Sequence, residues 1–164
     1  MKHIFTPDMM VDSLFTIPLT ELHKKGIRVL IFDLDNTIVK WNCREVENHI
    51  IQWFQDIKEA DFQVLILSNN GTDRVLAVAE KLDIPFIARA KKPSSLGAIK
   101  AMNMFDVKAD ECAMIGDQLL TDVFGGNRAG FFTILVTPIS PEEFWGTRIS
   151  RQVEKILFCT MKKP

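Results

Sequence analysis

No apolar run in this chain approaches the roughly 18 residues that a membrane-spanning helix needs. The N-terminal stretch does not read as a secretory signal, because Asp8 and Asp12 interrupt its apolar residues. Cysteine is scarce: Cys43, Cys112 and Cys159 lie far apart, without a Cys-x-x-Cys pair. An odd, scattered set of three argues against a disulfide framework or a zinc site and points to a reducing, cytoplasmic setting. Charge of one sign is also missing. The 20 basic and 21 acidic side chains leave a formal charge of −1, without the basic excess expected of a general nucleic-acid binder. Repeats and low-complexity tracts are absent. What remains, 47% hydrophobic and 25% charged over 164 residues, is ordinary globular composition and enough chain for one domain spanning 1–164.

Short apolar runs alternate with longer helical patterns. The runs are Val29–Phe32, Val64–Leu67, Phe86–Ala88, Ala113–Ile115 and Phe131–Val136, each apolar nearly throughout, as parallel strands covered on both faces are. Between them, Val46, Ile50, Trp53, Phe54 and Ile57 recur at helical spacing across Glu45–Ala60. Thr72–Leu82 repeats the pattern. Ser94 is placed to cap a helix carrying Leu96, Ile99 and Met102, and Asp122 to begin a short helix that stops near Gly130. Leu19–Lys25 reads as a brief helix closed by Gly26. This alternation predicts an α/β fold, a doubly wound, mostly parallel sheet built from right-handed βαβ units.

The ends carry weaker patterns. Residues 1–18 mix apolar side chains with Pro7 and Pro18. From Phe144 to Pro164 the chain is basic, with Arg148, Arg151, Lys155, Lys162 and Lys163 against Glu154. Ile149, Val153, Ile156 and Leu157 form an apolar stripe along it, expected to dock on the sheet; the alternative is peripheral contact with an anionic membrane. His3, His23 and His49 have no partners at ligand spacing and read as structural, and Trp41 and Trp53 read as packing.

Polar residues fall where four expected strands end. Val29–Phe32 runs into Asp33-Leu34-Asp35-Asn36-Thr37, and Val64–Leu67 into Ser68-Asn69-Asn70. Phe86–Ala88 is followed by Lys91-Lys92-Pro93, and Ala113–Ile115 by Gly116-Asp117 with Asp122 further on. Open α/β sheets bind ligands beyond the carboxyl ends of their strands, so these groups are expected to share one crevice. Two carboxylates one residue apart repel unless a cation or a proton sits between them. Asp117 adds a third, and an all-oxygen set suits Mg²⁺ with a substrate phosphate. Lys92 and the hydroxyls of Thr37 and Ser68 would surround a phosphoryl group with positive charge and donors, the main requirement of phosphoryl transfer. Plainer roles exist: Asp122 as a helix cap, Ser68-Asn69-Asn70-Gly71 as a turn, Lys91 and Lys92 as solvated surface. Asp33, closing a strongly apolar strand, is harder to explain that way, because an unpaired buried carboxylate is costly.

Taken together, these residues resemble the signature of the haloacid dehalogenase (HAD) superfamily of phosphohydrolases: Asp-x-Asp-x-Thr, then Ser/Thr, then Lys, then Gly-Asp with a second acid. The resemblance covers about residues 28–137. It implies a Rossmann-like core with Asp33 as the nucleophile that forms an aspartyl-phosphate, and Asp35 as general acid and then base. It further implies Mg²⁺ held by the Asp33 and Asp117 carboxylates and the Asp35 backbone carbonyl. Thr37, Ser68 and the Asn69 backbone would hold phosphoryl oxygens, and Asp122 would orient Lys92, which the family's Lys-Pro pairing favours over Lys91. The stretch Ile31–Val39 with Trp41, and Gly116–Asp122, are similar to the capless, YqeG-like branch (subfamily IIIA), itself similar to phosphatidylglycerophosphate phosphatases of mitochondria and plastids.

Chain length limits the cover over the crevice. Between Thr37 and Ser68 the helix and the next strand leave only Ile38–Arg44, enough for a small flap, and between Ser68 and Lys92 one helix and one strand use the available residues. No cap domain fits. An open site excludes water poorly around a small ligand, which points to a large substrate or to a neighbouring subunit as lid. The expected activity is therefore a Mg²⁺-dependent phosphatase acting on a large phosphorylated substrate, a lipid headgroup among the candidates. The alternatives are a protein or nucleotide phosphate, or a non-catalytic binding module. A receiver domain also gathers acids, a hydroxyl and a lysine at strand ends, but its acids come from different strands rather than from one Asp-x-Asp.

Overall fold

The strand that carries Asp-x-Asp lies at the middle of the sheet. β2 (Val29–Phe32) is buried at every residue and pairs in parallel with β3 (Gln63–Leu67) on one side and β5 (Cys112–Gly116) on the other. Its side chains alternate between two cores: Leu30 and Phe32 enter one, Val29 and Ile31 the other. That two-sided burial is why the run is continuously apolar rather than alternating. The computed structural model describes residues 3–140, which add β1 (Met9–Val11), β4 (Phe86–Ile87) and β6 (Phe132–Val136). The sheet order is β1-β6-β5-β2-β3-β4, with all neighbours parallel.

Helices cover both faces. On one, α1 (Leu19–Lys24), α2 (Asn48–Glu59) and α3 (Thr72–Leu82) contribute Leu22, Ile50, Phe54, Ile57, Val75 and Val78 to the larger core. On the other, α4 (Leu96–Phe105) supplies Ala98 and Ala101, and α5 (Phe124–Ala129) lies against β5 and β6. The close approach of α5 depends on Gly126: a Cβ there would stand 2.7 Å from Thr133 Cγ2 and 3.0 Å from Met114 Cβ. The chain runs outward from β2 to β3 and β4, then crosses back to β5. Strand order therefore reverses between β2 and β5, and a crevice opens at their carboxyl ends.

The doubly wound, mostly parallel sheet matches the expectation, with local differences. The edge strand β1 was not foreseen; Asp8 fixes the arm before it by accepting from Thr133 N at 2.8 Å. The helix expected from Glu45 starts at Asn48, because the segment before it is tied to α3: Cys43 O accepts from Arg74 and Arg44 O from Lys81. Ser95, not Ser94, occupies the N-cap of α4 and its side chain caps nothing, whereas Ser94 Oγ accepts from Leu96 N at 3.4 Å. The basic stretch 144–164 and Cys159 lie outside the described residues. Cys43 and Cys112 are free thiols, and burial pushes the Cys112 thiol up to about 12. Trp53 packs edge-on against Phe32 and Phe54 as expected, whereas Trp41 is 37% exposed on the flap. His23 packs on Phe62 and contacts Ala60 O, a structural position.

Candidate active site

Strand register brings the motifs to one level. Phe32 pairs with Ile115 and with Ile66, so Asp33 stands beside Gly116 and Leu67, one residue below Asp117 and Ser68. Asp33 N donates to Ile115 O at 2.8 Å, extending the ladder past β2 and fixing the backbone under the carboxylate. The chain then turns: Ile38 N and Val39 N both donate to Leu34 O, and Asn36 takes a left-handed φ of 56°. That turn buries Thr37 and sets its hydroxyl 3.4 Å from Asp117 Oδ1.

Lys92 occupies the centre. Its Nζ donates to Asp33 Oδ1 at 2.5 Å and to Asp122 Oδ1 at 2.7 Å, and its side chain is 6% exposed. Lys91 is exposed, so geometry separates the two lysines. Asn69 secures the lysine backbone from both sides, its Oδ1 accepting from Lys92 N at 2.7 Å and its Nδ2 donating to Lys92 O at 3.1 Å. Burial pushes the Asp33 carboxyl up to about 7; Lys92 opposes that rise, and Asp122 and Asp35 add to it. Burial alone would favour a neutral Lys92, but the attraction of Asp122 and Asp33 outweighs it and holds the ammonium charged.

Asp122 does not begin a helix as expected. It lies inside a π-helical turn (Leu119–Val123) that precedes α5. The turn points its carboxylate back over β5, where Oδ2 accepts from Gln118 N at 3.1 Å while Oδ1 holds Lys92. The space it occupies exists because residue 116 is glycine: a Cβ there would lie 2.2 Å from Asp122 Oδ2. The pairing of Gly116 with Asp117 thus has a steric reason. Single oxygens of Asp33, Asp117 and Asp122 lie within 4.8 Å of one another, all buried. Both Asp122 oxygens already accept from protein donors, whereas Lys92 engages Asp33 through Oδ1 alone. An oxygen-only donor set built from Asp33 and Asp117 therefore fits a small hard cation such as Mg²⁺.

Asp35 is held separately. Arg74 grips it with both terminal nitrogens, Nη1 at 2.8 Å from Oδ2 and Nη2 on Oδ1, and Asn70 Nδ2 donates to Oδ2 as well. The same Asn70 amide reaches Ser68 Oγ at 3.1 Å, and Asn70 N donates to that oxygen at 3.2 Å. The turn role of Ser68–Asn70 and its place in the site are thus one geometry. Arg74 was missed by sequence reasoning, and Asn70, expected in the crevice, was given no role there. A signal existed for Arg74: it sits in the first turn of α3, where the helix dipole disfavours a cation unless an anion faces it.

Comparison with known proteins shows the family and the fold. Residues 1–140 match the family described as mitochondrial PGP phosphatase. The chain is 40% identical over 163 residues to the probable phosphatase YqeG of Bacillus subtilis (strain 168), covering 99% of this chain and 95% of that one. It is 28% identical over 177 residues to the chloroplastic/mitochondrial phosphatidylglycerophosphate phosphatase 1 of Arabidopsis thaliana, covering 99% of this chain and 49% of that protein. Among solved structures, the cobalt-bound deoxy-D-mannose-octulosonate 8-phosphate phosphatase of Haemophilus influenzae superposes with a TM-score of 0.54 at 20% identity, covering 68% of this chain and 69% of that one.

Proposed function

The chain belongs to the mitochondrial PGP phosphatase family and is a phosphatase, and from that premise we propose that it uses HAD-type chemistry to hydrolyse a phosphomonoester on a large or lipid substrate such as phosphatidylglycerophosphate. The observation that carries this reading is the buried set of Asp33, Lys92, Asp117 and Asp122 at the reversal of strand order. Asp33 is the nucleophile. Its carboxylate forms a bond to phosphorus as the bond to the leaving oxygen breaks, giving an aspartyl-phosphate. Asp35 supplies the proton that the leaving oxygen takes up, then accepts one from the water that hydrolyses the acyl phosphate. Lys92, oriented by Asp122, neutralises charge on the transferring group. The Thr37 and Ser68 hydroxyls and the Asn69 backbone hold its oxygens.

Mg²⁺, held by the Asp33 and Asp117 carboxylates and the Asp35 backbone carbonyl, would supply further positive charge at those oxygens. Support for a large substrate comes from the short flap. Only residues 38–47 separate the first motif from α2, and Trp41 stands exposed there without a covering domain among the described residues. Trp is well suited to a wet apolar boundary. No helix among the described residues is long and apolar enough to cross a membrane.

The test is phosphate release from phosphatidylglycerophosphate in vesicles, with and without Mg²⁺, beside a phosphopeptide and a nucleotide. Turnover should be greatest on the lipid, require Mg²⁺, and fall by at least ~10⁴-fold in Asp33→Asn with the fold retained. Preference for peptide or nucleotide would reject the lipid reading, and an active Asp33→Asn would reject the nucleophile.

A further inference from the structure

We propose that Arg74 is a positioning residue for proton transfer: with Asn70 it fixes the Asp35 carboxylate so that Oδ1 is the oxygen that carries the proton to and from the reacting group. This rests on the reading of Asp35 as general acid. A carboxylate oxygen offers two lone-pair directions. Oδ2 of Asp35 accepts from both Arg74 Nη1 and Asn70 Nδ2, and so is filled; Oδ1 accepts from Arg74 Nη2 alone among the described residues. The planar guanidinium also defines the plane of the carboxylate, which a single-point contact would not. Asp35 needs that restraint. It lies in a loop rather than a strand, and its side chain is 15% exposed.

The rest of the Arg74 environment serves the same end. Its Nη2 also donates to Cys43 O at 3.3 Å, which ties the flap to the fork, while its Nε is buried with no partner among the described residues. A side chain placed only to satisfy itself would not leave that donor unused. Arg74 is thus arranged around Asp35, and Asn70 links the fork to Ser68, so the acid and a phosphate-facing hydroxyl are set by one amide.

The experiment is steady-state kinetics with Mg²⁺ on a series of aryl phosphates of decreasing leaving-group acidity, ending with an alkyl phosphate. Arg74→Gln should lower kcat/KM, which reports the leaving-group step, about 10- to 100-fold on the poorest leaving groups and little on p-nitrophenyl phosphate, while kcat falls on every substrate because Asp35 also serves the shared hydrolysis of the acyl phosphate. Arg74→Lys should not restore the rate, because an ammonium lacks the fork. Asn70→Ala should give a weaker loss with the same dependence, which keeps the test decisive if Arg74→Gln folds poorly. Asp35→Asn should show the same pattern, and combining it with Arg74→Gln should add nothing. A kcat/KM loss uniform across the series, or full rescue by lysine, would overturn the proposal. If Asp35→Asn itself shows no leaving-group dependence, the general-acid reading fails instead.

Discussion

Two ion-pair clusters stand beyond the carboxyl end of β2 and are built differently. Lys92 with Asp33 and Asp122 is deeply buried; Arg74 with Asp35 is partly open, its two side chains 12% and 15% exposed. In the first, one ammonium serves two carboxylates, so each partner is indispensable to the others. In the second, a planar cation meets one carboxylate at two points, which confers direction more than depth. The contrast follows the roles proposed for them. A nucleophile and the charge that stabilises its product gain from a dry setting where electrostatics are strong. A group that exchanges protons with water must keep access to it.

Breaking each cluster should separate these designs. Lys92→Met leaves two buried carboxylates without their counter-charge and should cost about 3–5 kcal/mol in urea unfolding of the metal-free protein. Arg74→Leu, in the more open pair, should cost only about 1–2 kcal/mol, between the buried and surface limits. Equal costs would erase the distinction.

Gly116→Ala tests the deep cluster without touching its charges. The new methyl would collide with Asp122 Oδ2, displacing Asp122 and with it Lys92. We expect a roughly 100-fold fall in kcat, the scale of an ångström-sized misplacement. The leaving-group dependence, which belongs to the Asp35 side, should be unchanged.

The smallest effect concerns pH and metal. The Asp33 carboxyl is raised from 3.8 to about 7, so the folded protein binds its proton more tightly than the unfolded chain does. That contribution to stability is complete below about pH 4 and is lost as pH rises through about 7. Mg²⁺ binds the ionised carboxylates, so its stabilisation should be slight near pH 5 and full near pH 8. At roughly ten times its Kd it adds about 1.4 kcal/mol, or roughly 3–5 °C in Tm for a domain of this size. A thermal melt at both pH values checks this, and Asp117→Asn should abolish the gain. An increment independent of pH would contradict metal binding through Asp33.

Much of this architecture is legible locally. Continuous apolar runs such as Val29–Phe32 declare two-sided burial, and the period of Ile50, Phe54 and Ile57 declares a helix, because both patterns reflect near-neighbour geometry. Polar residues closing those runs mark the site for the same reason. β1 was hidden because three residues at a sheet edge carry too little pattern to stand out. The π turn at Asp122 was hidden because a distant lysine and the missing Cβ of Gly116, rather than local propensity, shape it.

The amino-acid order by itself determined the strands, the helices and the set of groups able to handle a phosphoryl transfer, since periodicity and side-chain chemistry act over a few residues. Folding in three dimensions decided which lysine points inward, which acid holds it, and that Arg74 grips Asp35. Those pairings join residues tens of positions apart, and only the parallel register and the crossing back beside β2 bring them within bonding distance.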